Sequence, residues 1–130
     1  MSAVLSPADN LDIQQLYARY AHAADTRNAE AWAGCFSQDG VFDAFGNQVQ
    51  GREKLTAMMQ EPARGAAGRH WISNLVVEPT PYGASGTAYF SFLAVANQPV
   101  GMPLTGMYND ELERTPEGWR FRKRLFTPDR

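Results

Sequence analysis

Tyr20, Asp25 and His70 are side chains that together could relay a proton. Asp25 follows Tyr20 by five residues, so the two are not direct neighbours on one helix face. At a helix end, however, the chain can turn the carboxylate back into a cavity. An aspartate that accepts a ring N–H from His70 would fix the imidazole tautomer and raise its basicity. His70 could then take a proton from carbon or oxygen, or give one to a leaving hydroxyl. Tyr20 could donate a hydrogen bond to an oxygen on which charge develops. The plainer alternative is that Asp25 caps the next loop and His70 is a satisfied histidine at a strand start. His22 lies two residues from Tyr20, on a different helix face, and is expected at the surface or at a dimer contact. Two histidines held apart leave no protein-ligated metal expected, and none of this chemistry requires a cofactor. Arg120, Arg122 and Arg124 alternate in a basic run that would share one side of a strand unless a bulge intervenes. No Gly-x-Ser-x-Gly elbow, phosphate-binding Gly-Lys-Ser/Thr loop or dinucleotide fingerprint occurs.

Elements must bring these residues together. Ser6-Pro7 ahead of Ala8-Asp9 is a helix start, since serine caps and proline suits the first helical position. Leu11, Ile13, Leu16, Tyr17, Tyr20 and Ala24 recur at three- and four-residue steps, one apolar stripe on a helix of about four turns. Asn28 caps a second helix over residues 29–36 that buries Trp32 and Phe36. Residues 41–45 read as a strand and Gly46-Asn47 as a turn. Residues 51–60 form a third helix with Leu55, Met58 and Met59 on its buried side. The small residues of 63–68 make a candidate lid or rim loop. Strands follow at 70–78, 86–95, 104–114 and 119–126, with turns at 79–83 and 115–118 and a connecting loop at 97–103. Helices first and an antiparallel meander after give an α+β domain, its helices on one face of a curved sheet.

Strict alternation puts His70, Ile72, Asn74 and Val76 on one side of the first long strand, and Trp71, Leu75 and Val77 on the other. Ala88, Phe90, Phe92 and Ala94 likewise oppose Tyr89, Ser91, Leu93 and Val95. One face packs on the helices. A second copy of the chain is the expected cover for the other, in a homodimer through the outer sheet face.

The chain has 130 residues, 44% hydrophobic and 20% charged, which bounds it to one globular domain over 1–130. Its 12 Lys plus Arg and 14 Asp plus Glu leave a net charge of −2, so no nucleic-acid partner is expected. No apolar run approaches the roughly 18 residues of a membrane span. Residues 1–10 lack the pattern of a signal peptide. Cys35 is the single cysteine, which excludes an internal disulfide; it is expected in the core and fits a reducing, cytoplasmic setting.

Five segments recur in a telling order. They are Leu16-Tyr17-Ala18-Arg19-Tyr20 with Asp25, Phe36-Ser37-Gln38-Asp39-Gly40-Val41-Phe42, Gly51-Arg52-Glu53-Lys54-Leu55 and Arg69-His70-Trp71-Ile72-Ser73-Asn74. The last is Gly106-Met107-Tyr108-Asn109-Asp110, leading to Gly118-Trp119-Arg120-Phe121. Over nearly its whole length the chain resembles the nuclear transport factor 2-like superfamily and, within it, the SnoaL-like group. The resemblance implies a cone of three N-terminal helices on a curved, mostly antiparallel sheet that encloses a pocket. It also implies a range of activities: dehydratases of the scytalone and bile-acid type, ketosteroid isomerases, polyketide cyclases, epoxide hydrolases and non-catalytic modules.

Dehydratases similar to this chain keep a Tyr, an Asp and a His where Tyr20, Asp25 and His70 stand, and eliminate water without metal or organic cofactor. Related enzymes place an arginine near Arg124 that holds a carboxylate or polarises a carbonyl. The alternative for the run is a solvated edge pairing with Asp110, Glu111 and Glu113. Asp43-Ala44-Phe45-Gly46 resembles the segment of ketosteroid isomerases that carries the proton shuttle, with Asp110 near their oxyanion-binding acid. Asp43 also reads as a turn former, and Asp110 as a solvent-facing residue paired with a basic one. The expected activity is cofactor-independent acid–base catalysis on a small, apolar, cyclic or aromatic substrate. Elimination comes first, isomerisation through Tyr20, Asp43 and Asp110 second, then cyclisation or epoxide opening. The pocket is expected to be lined by Tyr17, Tyr20, Trp32, Phe36, Phe42, Met58, Ile72, Tyr89 and Tyr108, with Asp43, Asn74, Asp110 and Arg124 as further substrate contacts. A binding or dimerisation module is the reading from another class; it has no need for His70 and Asp25 to face each other in the pocket.

Overall fold

In the computed structural model, which describes residues 4–61, 67–94 and 104–129, Ser6 starts the first helix. Its Oγ accepts from the Asp9 N–H at 3.0 Å, and the Asp9 carboxylate accepts from the Ser6 N–H at 3.0 Å. This helix, α1 (Pro7–Asp25), buries Ile13, Leu16, Tyr17, Tyr20 and Ala24 on the expected stripe, while Leu11 stays 62% exposed. Asp9 also accepts from Trp119 Nε1 at 3.2 Å and from Arg114, which ties the helix start to the sheet. The Ser6 N–H, with Arg114 and Trp119, holds the Asp9 carboxyl well below the usual carboxylate range. Stability from a lowered pKa is complete above the unfolded value, about 4, and is lost as pH falls towards the folded one. Asp9→Asn, which mimics the protonated acid, should therefore lower Tm more at neutral pH than in acid. An equal Tm gap at about pH 6 and about pH 2 would show that the charge is not what stabilises this end.

Asn28 caps α2 (Ala29–Ala33), its Oδ1 accepting from the Ala31 N–H at 3.1 Å. The helix stops before Phe36, short of its expected length. The Cys35 carbonyl accepts instead from the Phe121 N–H at 2.9 Å, and Arg52 Nε and Nη2 donate to the Phe36 carbonyl at 2.9 and 2.7 Å. These partners draw the chain into the sheet, and Phe36 opens β1 (Phe36–Ala44), earlier than alternation suggests. The next turn is Phe45-Gly46 rather than Gly46-Asn47. Both residues have positive φ, 52° and 79°, as a two-residue hairpin requires, and Asn47 starts β2 (Asn47–Gln50). Then come α3 (Arg52–Met59), which buries Leu55 fully, and the long strands β3 (Gly68–Thr80), β4 (Gly83–Ala94), β5 (Leu104–Thr115) and β6 (Gly118–Pro128).

The sheet runs β2-β1-β6-β5-β4-β3, with β1 and β6 parallel and every other pair antiparallel. It is curved and open, with α1 packed on β3 and β6. No helix among the described residues is long and apolar enough to cross a membrane. The expected connection at 97–103 and most of the expected lid at 63–68 lie outside the described residues.

Two bulges set which side chains face inward. In β3 the register shifts between Ser73 and Val76, with Asn74 at φ 55°. Leu75 and Val77 thereby join Ile72 against the core, while Asn74 and Val76 turn outward. The strict alternation expected for this strand fails at that point. In β6 the shift falls between the pairs Glu111–Lys123 and Leu112–Phe121, leaving Arg122 as the extra residue. Phe121 and Arg124 then share the inner face, and Arg122 remains exposed.

Candidate active site

The last residue of α1 meets the start of β3. The Asp25 carboxylate accepts from the His70 main-chain N–H at 2.9 Å and stands 2.6 Å from His70 Nδ1. A carboxylate only accepts, so the contact favours the tautomer with its proton on Nδ1, which leaves the Nε2 lone pair unengaged by Asp25. The imidazole is held edge-on by Phe90 and Phe92, with centroids 5.5 and 5.0 Å away. Both side chains line a cavity of about 250 Å³, shared with Tyr20, Arg27, Trp32, Phe42, Phe45, Met58, Met59, Leu104, Tyr108 and Phe126. Arg27, just past the helix end, adopts φ 56°.

Tyr20 and Tyr108 form another stretch of wall, their rings 5.9 Å apart and edge to face. Burial pushes the Tyr20 phenol above its ordinary pKa, against the opposing influence of Arg124, Trp32 and Tyr108. Burial raises Tyr108 well above its ordinary value too. Both therefore stay protonated near neutral pH and are able to donate a hydrogen bond.

Behind this wall is a buried ion pair. Arg124 Nε and Nη2 donate to the two Asp110 oxygens at 2.9 and 3.0 Å, and Tyr17 donates to the same carboxylate. Burial disfavours the Arg124 charge, but the Asp110 carboxylate together with the Tyr108 and Tyr20 phenols outweighs it and tightens the hold on the proton. Burial, with Asp110 adding to it, likewise raises Tyr17.

The expected residues divide accordingly. Tyr20, Asp25, Trp32, Phe42, Met58, His70 and Tyr108 line the cavity. Tyr17 and Phe36 are buried in the core, and Ile72 packs against it, without lining the cavity. Tyr89 is 53% exposed on the opposite sheet face, where period-two alternation from inward Phe90 sends it. Asn74 is outside because of the bulge. Asp43 accepts from Gln48 Nε2 at 3.0 Å within the β1–β2 hairpin and does not meet Tyr20 or Asp110. Asp110 is paired with a basic residue of the last strand, yet buried rather than solvent-facing. Arg124 does not reach the cavity surface. His22 is exposed, as expected. Sequence reasoning missed Phe45, Phe90, Phe92 and Phe126. The shared face of Phe90 and Phe92 was the available signal. No group of three or more His, Cys, Asp or Glu side chains that could hold a metal ion gathers among the described residues.

Comparison places this fold among known proteins. A sequence model of the SnoaL-like domain matches residues 6–125. An aspartate-to-asparagine variant of a protein of unknown function from Mycobacterium tuberculosis is 31% identical, with TM-score 0.86 over 98% of this chain and 79% of the other. A protein from Novosphingobium aromaticivorans described as a candidate aromatic ring hydroxylase is 28% identical, with TM-score 0.81 over 96% and 92%. A candidate scytalone dehydratase from the same species shares the fold at 19% identity, with TM-score 0.80 over 96% and 89%. Similar structures are described as nuclear transport factor 2-like and cystatin-like in fold. No curated protein matches the chain.

Proposed function

This chain belongs to the SnoaL-like domain family, and from that premise we propose that its cavity carries out acid–base catalysis with the protein's own side chains, most directly a dehydratase-type elimination. The carrying observation is the Asp25–His70 contact inside a largely aromatic cavity. His70 Nε2 removes a proton from carbon next to an activating carbonyl or ring. The electron pair moves into the new double bond as a hydroxyl departs. The imidazolium, stabilised by Asp25, returns the proton to that hydroxyl and water leaves. Tyr20 and Tyr108 donate to the oxygen on which negative charge builds. Apolar walls with few converging polar groups fit a small cyclic or aromatic substrate. A pure binding module would gain nothing from a histidine with a fixed tautomer.

Incubation with hydroxylated aromatic and steroid-like compounds should give products lighter by one water in a mass-spectrometric screen. Products of unchanged mass but shifted double bond would favour isomerisation. Asp25→Asn should lower turnover by roughly 10²-fold or more with ligand affinity largely kept. His22→Ala, on the exposed face, should leave turnover unchanged, and equal losses in the two variants would remove the Asp25–His70 pair from the mechanism.

The same reading includes a homodimer. Trp71, Val76 and Tyr89 are exposed by 61%, 56% and 53% on the sheet face away from the cavity, continuous across β3 and β4. A second copy covering them would leave the site accessible. Sedimentation should show a dimer that Tyr89→Lys dissociates; a wild type that sediments as a monomer rejects the dimer.

A further inference from the structure

The Tyr20–Tyr108 wall has a charge built in behind it. The Arg124 guanidinium carbon lies 3.4 Å from the Tyr108 ring centroid and 4.3 Å from that of Tyr20. Both rings belong to the cavity wall, so the cation stands one side chain away from any ligand and touches none. Asp110 grips Nε and Nη2, while Nη1 is buried without a hydrogen-bond partner. A buried ion pair contributes little net stability compared with apolar residues of the same volume, and an orphan N–H lowers it further. Stability alone is thus a poor reason for this group. The pair is also oriented, with its anionic end accepting from Tyr17 of α1 and its cationic end packed over the rings of Tyr20 and Tyr108, with those of Phe121 and Tyr17 beside them.

We propose that Arg124 is a positioning residue: held by Asp110, it sets a fixed positive charge behind Tyr20 and Tyr108 and makes that wall selective for a ligand oxygen bearing negative charge, such as a phenolate or an enolate. The inference rests on the proposed function only in taking this cavity as the ligand site, and it does not require elimination. A charge a few ångströms away in a water-poor interior acts far more strongly than in water, and a fixed one needs no reorganisation when the anion forms. The phenols remain donors because burial keeps them protonated. The other charged or titratable groups near that oxygen are Asp25, Arg27 and His70 in the wall, and Asp110 with Tyr17 behind Arg124. Asp25 and Asp110 oppose an anion and Arg27 favours one, so the part of the selectivity that is lost with the Arg124 charge measures what that cation adds.

The test uses 4-nitrophenol, whose phenolate and phenol absorb separately. Bound to the wild type, it should ionise at a lower pH than free in solution. Apolar burial alone acts in the opposite direction, so ionisation at a higher pH overturns the proposal without any variant. Failure of the wild type to bind either form also overturns it, and the water-loss screen then stands by itself. Arg124→Gln combined with Asp110→Asn removes both charges and leaves an amide pair in their place. Its preference for phenolate should fall by about tenfold, one pH unit in the bound ligand's ionisation. The same preference in a double variant of native circular dichroism would make Arg124 structural only. Arg124→Lys, which keeps the charge, should retain more of the preference than the double variant; an equal loss would overturn the role of charge. His70→Gln should lower turnover at least about a hundredfold and leave phenolate selectivity within a few-fold. A cavity that selects phenolate but never releases water would therefore sink the elimination and spare this inference.

Discussion

His70→Ala is expected to lower turnover at least about a hundredfold while the fold remains intact. The side chain is half-buried at the start of β3, and its ring contacts are with Asp25, Phe90 and Phe92. Its removal enlarges the cavity without breaking a strand pair, because the His70 main-chain N–H still donates to Asp25. Steady-state kinetics on the product-forming substrate, with circular dichroism as the folding control, decides the matter. The loss should fall on kcat more than on KM, since the imidazole acts on the reacting proton rather than on the bulk of the substrate. Unchanged turnover in a folded variant would take His70 out of the chemistry. The cavity would then be a binding chamber, with Asp25 acting as a brace between α1 and β3.

Asp110→Ala carries the largest expected cost in stability, roughly 3–5 kcal/mol. Arg124 has no exposed surface, and Asp110 is its hydrogen-bond acceptor. Removing the carboxylate strands a buried cation and takes the acceptor from the Tyr17 hydroxyl as well. Denaturant unfolding of the two proteins measures the difference. Asp110→Leu joined with Arg124→Met should recover most of it, because an apolar pair needs no partner. A single variant within about 1 kcal/mol of wild type would mean that water reaches Arg124 and the pair is not sealed.

The start of the first helix was legible to the residue, and its length of 19 residues exceeds the four turns expected. Ser6, Pro7 and Asp9 mark its start, and the stripe from Ile13 to Ala24 fixes its buried face. Tyr20, Asp25 and His70 were named as a set on the residues and the family resemblance, and the C-terminal half of α1 and the start of β3 place all three along one cavity. What sequence alone could not supply were the exceptions to periodicity. One extra residue near Asn74 reverses the rest of β3, and one at Arg122 turns Arg124 inward. Bulges depend on pairing partners far along the chain, so local alternation does not register them. The early start of β1 has the same cause, since Cys35 and Phe36 answer to Phe121 and Arg52 rather than to their own helix. The hairpin after Ala44 was obscured because Phe45, a bulky residue, takes a positive φ that favours glycine or asparagine.

The strand that comes last in sequence, β6, sits in the interior of the sheet between β1 and β5. On a ribosome the partner awaited by Phe36 and by the hairpin after it emerges only after the other strands of the sheet. Helices and the β3–β4–β5 meander can assemble while translation continues, but the two halves of the sheet cannot join before β6 arrives. Pairing β1 with β6 closes a long loop, the kind of non-local step that slows folding. Until that moment the nascent protein exposes unpaired edges on β1 and β5, the interval in which chaperone capture or aggregation competes with completion.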